Sequence, residues 1–582
     1  MKSFLKNILT TIIGIISSII VMILLIIGFV AIISSEDEVK VKENSILKID
    51  LSNTSVVERS SENPFDGLSF SGDLASTIEL KQVLDNIEKA KNDNKIIAIY
   101  INTSFVNAGL SQIEEIRNKL VEFKSCGKPI IAYSEVYSQS GYYFSSVADK
   151  IYLNPEGIVE LKGLSAGIMF YKGLLEKLDI DVQIIRHGKF KSAVEPFMLD
   201  KMSDANREQM QLLLNSFADN LFDSIASQRG MTLSDIHNHA NNLTLENAKS
   251  CLDLHYVDAL LYQDQVDDSL LVISKSEKLN FISLNKYSNV KVEKKEISRN
   301  KIAIIYATGE INSGKGDVKS IGSETTAKAI KTAREDKNVK AIVLRVNSPG
   351  GSALASDVIW RETVLAKEEK PLIVSMGDYA ASGGYYIACA ADSIVANPTT
   401  LTGSIGVFGM IPNLQKLYKN KLGISIDTVN TNKHADMGIN RALTKFEEDK
   451  IQKSVVDIYT TFITHVGEGR NMSTTAVDEI GQGRVWTGYN AKDIGLIDTY
   501  GGLEKAIEIA VYLAEIEDYR IISLPKKKDP FAELALKFGG ETSISDLVML
   551  KLGLKTELTN PIENLLKRDK IQARIPFIME LK

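Results

Sequence analysis

Short continuous apolar runs alternate along this chain with longer amphipathic stretches. In the second half Ile302–Tyr306 reads as a strand, Thr325–Glu335 as a helix and Ala341–Val346 as a strand. Ala353–Glu368 follows as a helix, Leu372–Ser375 as a strand and Tyr385–Ala391 as a buried helix. Unbroken apolar runs of about 4–8 residues suit strands covered on both faces. Strands that alternate with helices predict an α/β fold with mainly parallel sheets. One run differs in kind. Ile8 to Ile33 is 26 residues without a charge. That exceeds the ~20 residues that span a bilayer core and the ~7–15 of a cleavable signal. An uncleaved transmembrane anchor is therefore expected over 8–34. Lys2 and Lys6 precede it and Glu36-Asp37-Glu38 follow it. This asymmetry places residues 1–7 in the cytoplasm and the body across the membrane.

The pattern occurs twice. Lys128-Pro-Ile-Ile-Ala-Tyr133, Gly141-Tyr-Tyr-Phe144 and Ala148-Asp149 are echoed by Lys370-Pro-Leu-Ile-Val-Ser375, Gly384-Tyr-Tyr-Ile387 and Ala391-Asp392. The offset from Asp149 to Asp392 is 243 residues, and it recurs from Asn247 to Asn490. A repeat of that length means two copies of one domain, since solenoid units are about 20–50 residues. The copies are placed at 45–290 and 300–520. Charged linkers lie at 34–44 and 285–299, and a less readable extension covers 521–582. Lys526-Lys-Lys528 in that extension reads as a solvated loop.

Composition narrows the function. The net charge is −6, from 68 basic and 74 acidic residues, and no segment forms a basic domain. Nucleic acid is not an expected partner. Cys126, Cys251 and Cys389 are far apart and lack metal-ligand spacing, so they read as small buried apolar residues. No His/Glu zinc motif and no phosphate loop is present, and no cofactor or metal is expected.

The chemistry concentrates in the second copy. Gly377-Asp-Tyr-Ala-Ala-Ser382-Gly-Gly-Tyr-Tyr386 joins a buried strand to a buried helix. A small-residue turn there can lift one side chain into a site, which makes Ser382 a candidate nucleophile. Asn347-Ser-Pro-Gly-Gly351 ends the preceding strand, and free backbone N–H groups at such a junction can hold an oxyanion. In the first copy Gln139 stands opposite Ser382, and Asn102-Thr-Ser-Phe-Val replaces the glycine turn. That copy should not be a second active site.

A serine needs a base. None of the six histidines stands in a triad-like context, although His187 lies close to a further motif, Arg186-His-Gly-Lys-Phe-Lys-Ser-Ala-Val-Glu-Pro-Phe197. A lysine can serve if desolvation lowers its pKa from ~10.4. Lys189 and Lys191 share a face if the segment is extended and diverge if it turns at Gly188. Composition leaves both open.

Together Tyr379-Ala-Ala-Ser382-Gly-Gly-Tyr-Tyr386, Asn347-Ser-Pro-Gly-Gly351, Leu401-Thr-Gly-Ser-Ile-Gly406 and Lys191-Ser-Ala-Val-Glu-Pro-Phe197 resemble the signal peptide peptidase A family (SppA, protease IV) in its long duplicated form. The resemblance runs from the anchor to about residue 520. It implies a tandem Clp-protease/crotonase-like α/β fold. It also implies Ser382 as nucleophile, Lys191 as general base and Ser404 orienting the lysine. Oxyanion donors are implied at the backbone of Gly350 or Gly351 and of Gly383. It further implies a homotetramer at the bacterial inner membrane that degrades remnant signal peptides and other apolar peptides outside the cytoplasm. Two other readings compete. One is a crotonase-like acyl-CoA enzyme, which needs no Ser–Lys pair. The other is a membrane scaffold that has lost activity.

Overall fold

The structure, a computed structural model, describes residues 39–60, 76–290, 298–527 and 571–575, with scattered positions between 10 and 21. The expected anchor at 8–34 lies mostly outside the described residues. Among the described residues no helix is long and apolar enough to cross a membrane.

Each copy is built on a parallel sheet. In the first the strand order is 259–260, 150–159, 130–137, 96–101, 45–49 and 281–283, with every pairing parallel. In the second the order 401–403, 372–381, 339–348, 301–308 and 520–524 is parallel throughout, and Val485–Thr487 closes one end antiparallel. Alternation along each strand sorts its side chains between two cores. Ala303, Ile305, Ile342 and Leu344 pack with the helices Ser323–Glu335 and Ala353–Glu369. Ile302, Ile304, Ala341 and Val343 face Leu503, Ala506 and Ile507 of the helix Leu503–Leu513. The first copy repeats this division, with Ile46, Ala98 and Tyr100 set against Val266 and Leu270. Burying each large aliphatic side chain contributes about 1.5–3 kcal/mol. The unbroken apolar runs are therefore what makes these strands central.

A third sheet belongs to both copies. Its order is Ser320–Gly322, Glu310–Asn312, Gly350–Ser352, Ile571–Arg574, Phe408–Asn413 and Asp181–Arg186. The last strand comes from the first copy. It runs antiparallel to Phe408–Asn413 of the second through six pairs, from Asp181 opposite Asn413 to Arg186 opposite Phe408. The copies are also joined by a buried ion cluster. Arg345 of the second copy bonds Glu58 at 2.8 and 2.9 Å and Glu115 at 2.7 Å, both from the first.

Three details depart from the sequence reading. The strand from Leu372 continues to Ala381, because Tyr379, Ala380 and Ala381 pair with Leu401, Thr402 and Gly403. The connection expected between Ser375 and Tyr385 shrinks to a single residue, Ser382. The following helix starts at Gly383 and ends at Ala388. Lys527, read as part of a solvated run, instead reaches Glu79 of the first copy at 3.0 Å.

Removing one partner of a buried ion cluster leaves uncompensated charge, which costs about 3–5 kcal/mol. Arg345→Met should lower the thermal midpoint strongly. Adding Glu58→Gln and Glu115→Gln should recover most of the loss, because the stranded carboxylates go with them. Differential scanning calorimetry of the three proteins checks this.

Candidate active site

Ser382 sits where strand becomes helix. Its backbone is at φ 56, ψ −113, outside the ordinary wells of a non-glycine residue. Such a conformation costs about 1–3 kcal/mol and persists only where surroundings enforce it. Here the Ser382 N–H donates to Gly403 O at 2.7 Å, and its carbonyl accepts from Tyr386 N at 2.8 Å. The side chain is buried and faces Lys191.

Lys191 reaches it from the first copy. The strand Asp181–Arg186 carries the chain onto the second copy, and Phe190 N–H then donates to Gln482 O at 3.0 Å. Lys191 Nζ lies 2.8 Å from Ser382 Oγ, 3.1 Å from Ser404 Oγ and 3.1 Å from Ser404 O. All three residues are 0% exposed. Burial holds the amine well below the ordinary lysine range. An amine kept neutral this close to a hydroxyl can take its proton, which is the requirement for activating a serine.

The fit around the lysine is set by a turn in the second copy. A methyl group on Gly483 would lie 2.7 Å from the N, Cα and Cβ atoms of Lys191, so only glycine lets the two backbones meet. Arg484 places its guanidinium over the rings of Phe190 and Trp486, at 4.7 and 4.6 Å from their centroids. Ser404 is pinned through its N–H to Arg484 O at 2.7 Å. Gly481-Gln-Gly-Arg-Val-Trp-Thr-Gly488 is thus part of the site. By sequence alone Gly483-Arg-Val-Trp-Thr-Gly488 suits either a structural turn or the wall of a cavity.

The glycine turn lies on the other side of Ser382. Gly350 has φ 98 and donates its N–H to Ser348 Oγ at 3.2 Å. A methyl group there would meet Ala573 O at 2.1 Å and Gly383 N at 2.9 Å. One built on Gly383 would meet Gly351 N and Ala573 O, each at 3.2 Å. The three glycine backbones therefore converge on one carbonyl of the chain's own tail. That tail runs antiparallel to Gly350–Ser352 on one side and to Phe408-Gly409 on the other. Ile575 N–H donates to Pro349 O at 2.9 Å. Ile575 itself, 3% exposed, packs with Met210, Leu213 and Phe217 of the helix Asp204–Arg229 and with Ala381, Leu401 and Val485. Nothing in the sequence reading pointed to residues 571–575, whose short run lacks a local partner.

The other candidates lie apart. The chain turns at Gly188, so the two lysines diverge. Lys189 is exposed and lies over the Phe190 ring. His187 packs its ring on Tyr459 at 4.3 Å. In the first copy Gln139 accepts from Lys162 N at 3.0 Å and Gly163 N at 2.9 Å, and donates to Gly163 O at 3.2 Å. It stitches its loop where Ser382 meets the lysine.

The model for peptidase family S49 matches residues 122–275 and 365–517, one stretch in each copy. "Protease 4" of Salmonella typhi is 37% identical over 463 residues, covering 78% of this chain and 74% of that protein. "Serine protease SPPA, chloroplastic" of Arabidopsis thaliana is 34% identical over 515 residues, 87% of this chain and 75% of that protein. Among solved structures, a mutant of ClpP1 from Listeria monocytogenes covers 35% of this chain and 94% of that chain. It is 16% identical, with a TM-score of 0.24.

Burial of Lys191 has a consequence for stability. Its folded pKa is depressed well below that of a free lysine. Between the two values the unfolded chain binds a proton that the native chain does not, so stability rises with pH across that window. The penalty is present at neutral pH and fades as pH approaches ~10.4. Lys191→Met should raise the thermal midpoint at pH 7, with the gain shrinking by pH 10. Melting curves of both proteins across that range check this.

Proposed function

The chain belongs to peptidase family S49 and is a serine protease, and from that premise we propose that it is a membrane-anchored endopeptidase working through Ser382 and Lys191. The observation that carries the proposal is the 2.8 Å approach of a fully buried lysine amine to the hydroxyl of a strained serine.

In the proposed cycle neutral Lys191 Nζ takes the proton of Ser382 Oγ as the oxygen attacks a peptide carbonyl carbon. The carbonyl π electrons move to oxygen, and backbone N–H groups stabilise that charge. Gly350 already donates its N–H to Ser348, so Gly351 and Gly383 are the preferred donors. The protonated lysine gives its proton to the leaving nitrogen, the C–N bond breaks and an ester on Ser382 remains. A water attacks that ester with Lys191 again as base. The acid is released and the serine regains its proton. Ser404 holds Nζ on line through its hydroxyl and its carbonyl.

The substrate would enter as an added strand. The chain's own residues 571–574 adopt that arrangement between Gly350–Ser352 and Phe408-Gly409, with Ile575 in an apolar pocket. Strand addition gives affinity through the backbone and selectivity through the pockets. Apolar peptides suit such a site, and remnant signal peptides are the native class we infer. The anchor at 8–34, the Clp-protease/crotonase-like architecture, the placement outside the cytoplasm and the homotetramer are part of the proposal, and they rest on the sequence and the family resemblance. The tail then acts as an internal competitor for the cleft.

Ser382→Ala and Lys191→Ala should each cut peptide cleavage at least ~10³-fold, the scale of losing an activated nucleophile, while Lys189→Ala stays within about twofold of the parent on the same scale. The parent's kcat/KM should fall as pH drops through the depressed lysine pKa. Full activity in Lys191→Ala would remove the base assignment and leave the family intact. Ending the chain after Lys570 should raise kcat/KM for apolar peptides about tenfold, roughly 1.4 kcal/mol of relieved competition. An unchanged or lower value would mean that the tail does not hold the substrate's place.

A further inference from the structure

The tail strand brings a charge into an otherwise apolar cleft. Ala573 and Ile575 are buried, and Arg574 stands between them in sequence. Its Nη1 lies 3.5 Å from Glu310 Oε1. Glu310 opens the strand Glu310–Asn312, which does not adjoin the tail. Gly350–Ser352 runs between the two.

Register explains how the pair forms across a strand. Ile311 pairs with Gly351, and Gly351 pairs with Ala573. One residue along, Glu310, Gly350 and Arg574 make the next row, and residues directly opposite share a face. Gly350 sets no side chain between them. An extended arginine and a glutamate together can span the ~10 Å of two strand spacings. The same row borders the reacting centre, because the carbonyl that the glycine backbones meet belongs to Ala573, the residue just before Arg574. The first copy lacks this carboxylate. There the strand Thr54–Val57 pairs in parallel with Ser76–Glu79 ahead of a helix, as Glu310–Asn312 pairs with Ser320–Gly322. Its first residue is Thr54, whose hydroxyl meets Ser76 Oγ at 2.7 Å. The carboxylate thus stands in the copy that holds the serine.

We infer that Glu310 selects for charge in the cleft, favouring an arginine or lysine in the peptide immediately after the bond that is cut. This deepens the proposed function and rests on its reading of the tail as holding the substrate's place. With the Ala573 carbonyl at the glycine turn, a substrate residue in the place of Arg574 is the first one beyond the cut bond. The next residue takes the apolar pocket of Ile575. The favoured substrate is therefore an extended peptide in which a basic residue is followed by an apolar one, not an unbroken apolar run. A partly exposed ion pair contributes little affinity. It discriminates among peptides that the ladder and the pocket already hold, and a glutamate in the same place is repelled.

The test uses the full chain in detergent and a peptide carrying the tail sequence Ile-Gln-Ala-X-Ile, with X as arginine, citrulline or glutamate. Citrulline keeps the shape of arginine and lacks its charge. The parent should cut directly before X, as read by mass spectrometry of the products. It should favour arginine over citrulline about three- to fivefold in kcat/KM, the scale of a partly exposed ion pair. All three peptides face the same tail, so its competition cancels in the ratio. Glu310→Gln should remove the preference, and Glu310→Lys should turn it toward glutamate. An arginine preference that survives in Glu310→Gln overturns the subsite, and so does a cut at another bond. Binding of the labelled peptides to the Ser382→Ala chain, read by fluorescence anisotropy, separates this from the catalytic reading. If a Glu310-dependent arginine preference appears in binding while the parent cuts nothing, the subsite stands and the catalytic reading falls. If the parent cuts arginine and citrulline peptides equally, the subsite falls and the catalytic reading stands. A chain that neither binds nor cuts any of them overturns both.

Discussion

An uncompensated amine at 0% exposure governs this structure. Charged, Lys191 would carry a desolvation penalty of several kcal/mol, and among the described residues no carboxylate bonds it. Neutral, it can rest against two hydroxyls and a carbonyl. Everything that walls it off therefore bears on the chemistry. The strand Asp181–Arg186 fixes its approach, Gly483 presses on its backbone, and Ser404 meets its tip. Gly483 and Ser404 are both remote from the lysine in sequence. Ser404 is 213 residues away and Ser382 is 191. Because such a site exists only when both copies are docked, the buried Arg345–Glu58–Glu115 cluster at their junction is better understood as part of the support than as a source of net stability.

Duplication makes this division possible. A single copy would have to supply strand, glycine turn, serine and lysine from one set of loops. With two, the first can give up its serine, and Gln139 shows what replaces it. The amide makes three hydrogen bonds to Lys162 and Gly163, so a loop that would otherwise border a reactive cleft is tied to its own helix. The lysine-bearing segment is then free to leave its own copy. The second copy keeps the strained serine and the turn, and at the position matching Lys191 it carries Ala435.

Much of this was legible in the sequence for identifiable reasons. Unbroken apolar runs found the central strands, since they are covered on both faces. The constant offset of 243 residues found the duplication. Ser382 stood out because small residues crowd around it. What stayed hidden was of another kind. Whether Lys189 or Lys191 points inward depends on a turn at Gly188 and on the Gln482 carbonyl that receives Phe190, a contact across nearly 300 residues. The length of the strand before Ser382 depends on pairing with Leu401–Gly403, so an apolar run read to Ser375 understated it. The tail strand 571–574 has no signature of its own and takes its form from the two edges it lies between.

Those edges suggest why, under the proposed function, the third sheet rather than either central one would receive a peptide. The central sheets are closed by helices on both faces and by short strands at their ends. The third is assembled from pieces, each only three to six residues long, contributed by both copies and by the tail. A sheet of short pieces gains little from any one strand, so exchanging a strand costs little. Backbone pairing there is nearly indifferent to side chains, while the pocket around Ile575 is not: Met210, Leu213, Phe217, Leu401 and Val485 offer it no polar partner. The proposed selection for apolar peptides would then follow from the wall of that pocket. Binding an extended chain of almost any other composition would follow from the ladder, and the two together support the proposed removal of unstructured apolar segments over the reading of a defined sequence.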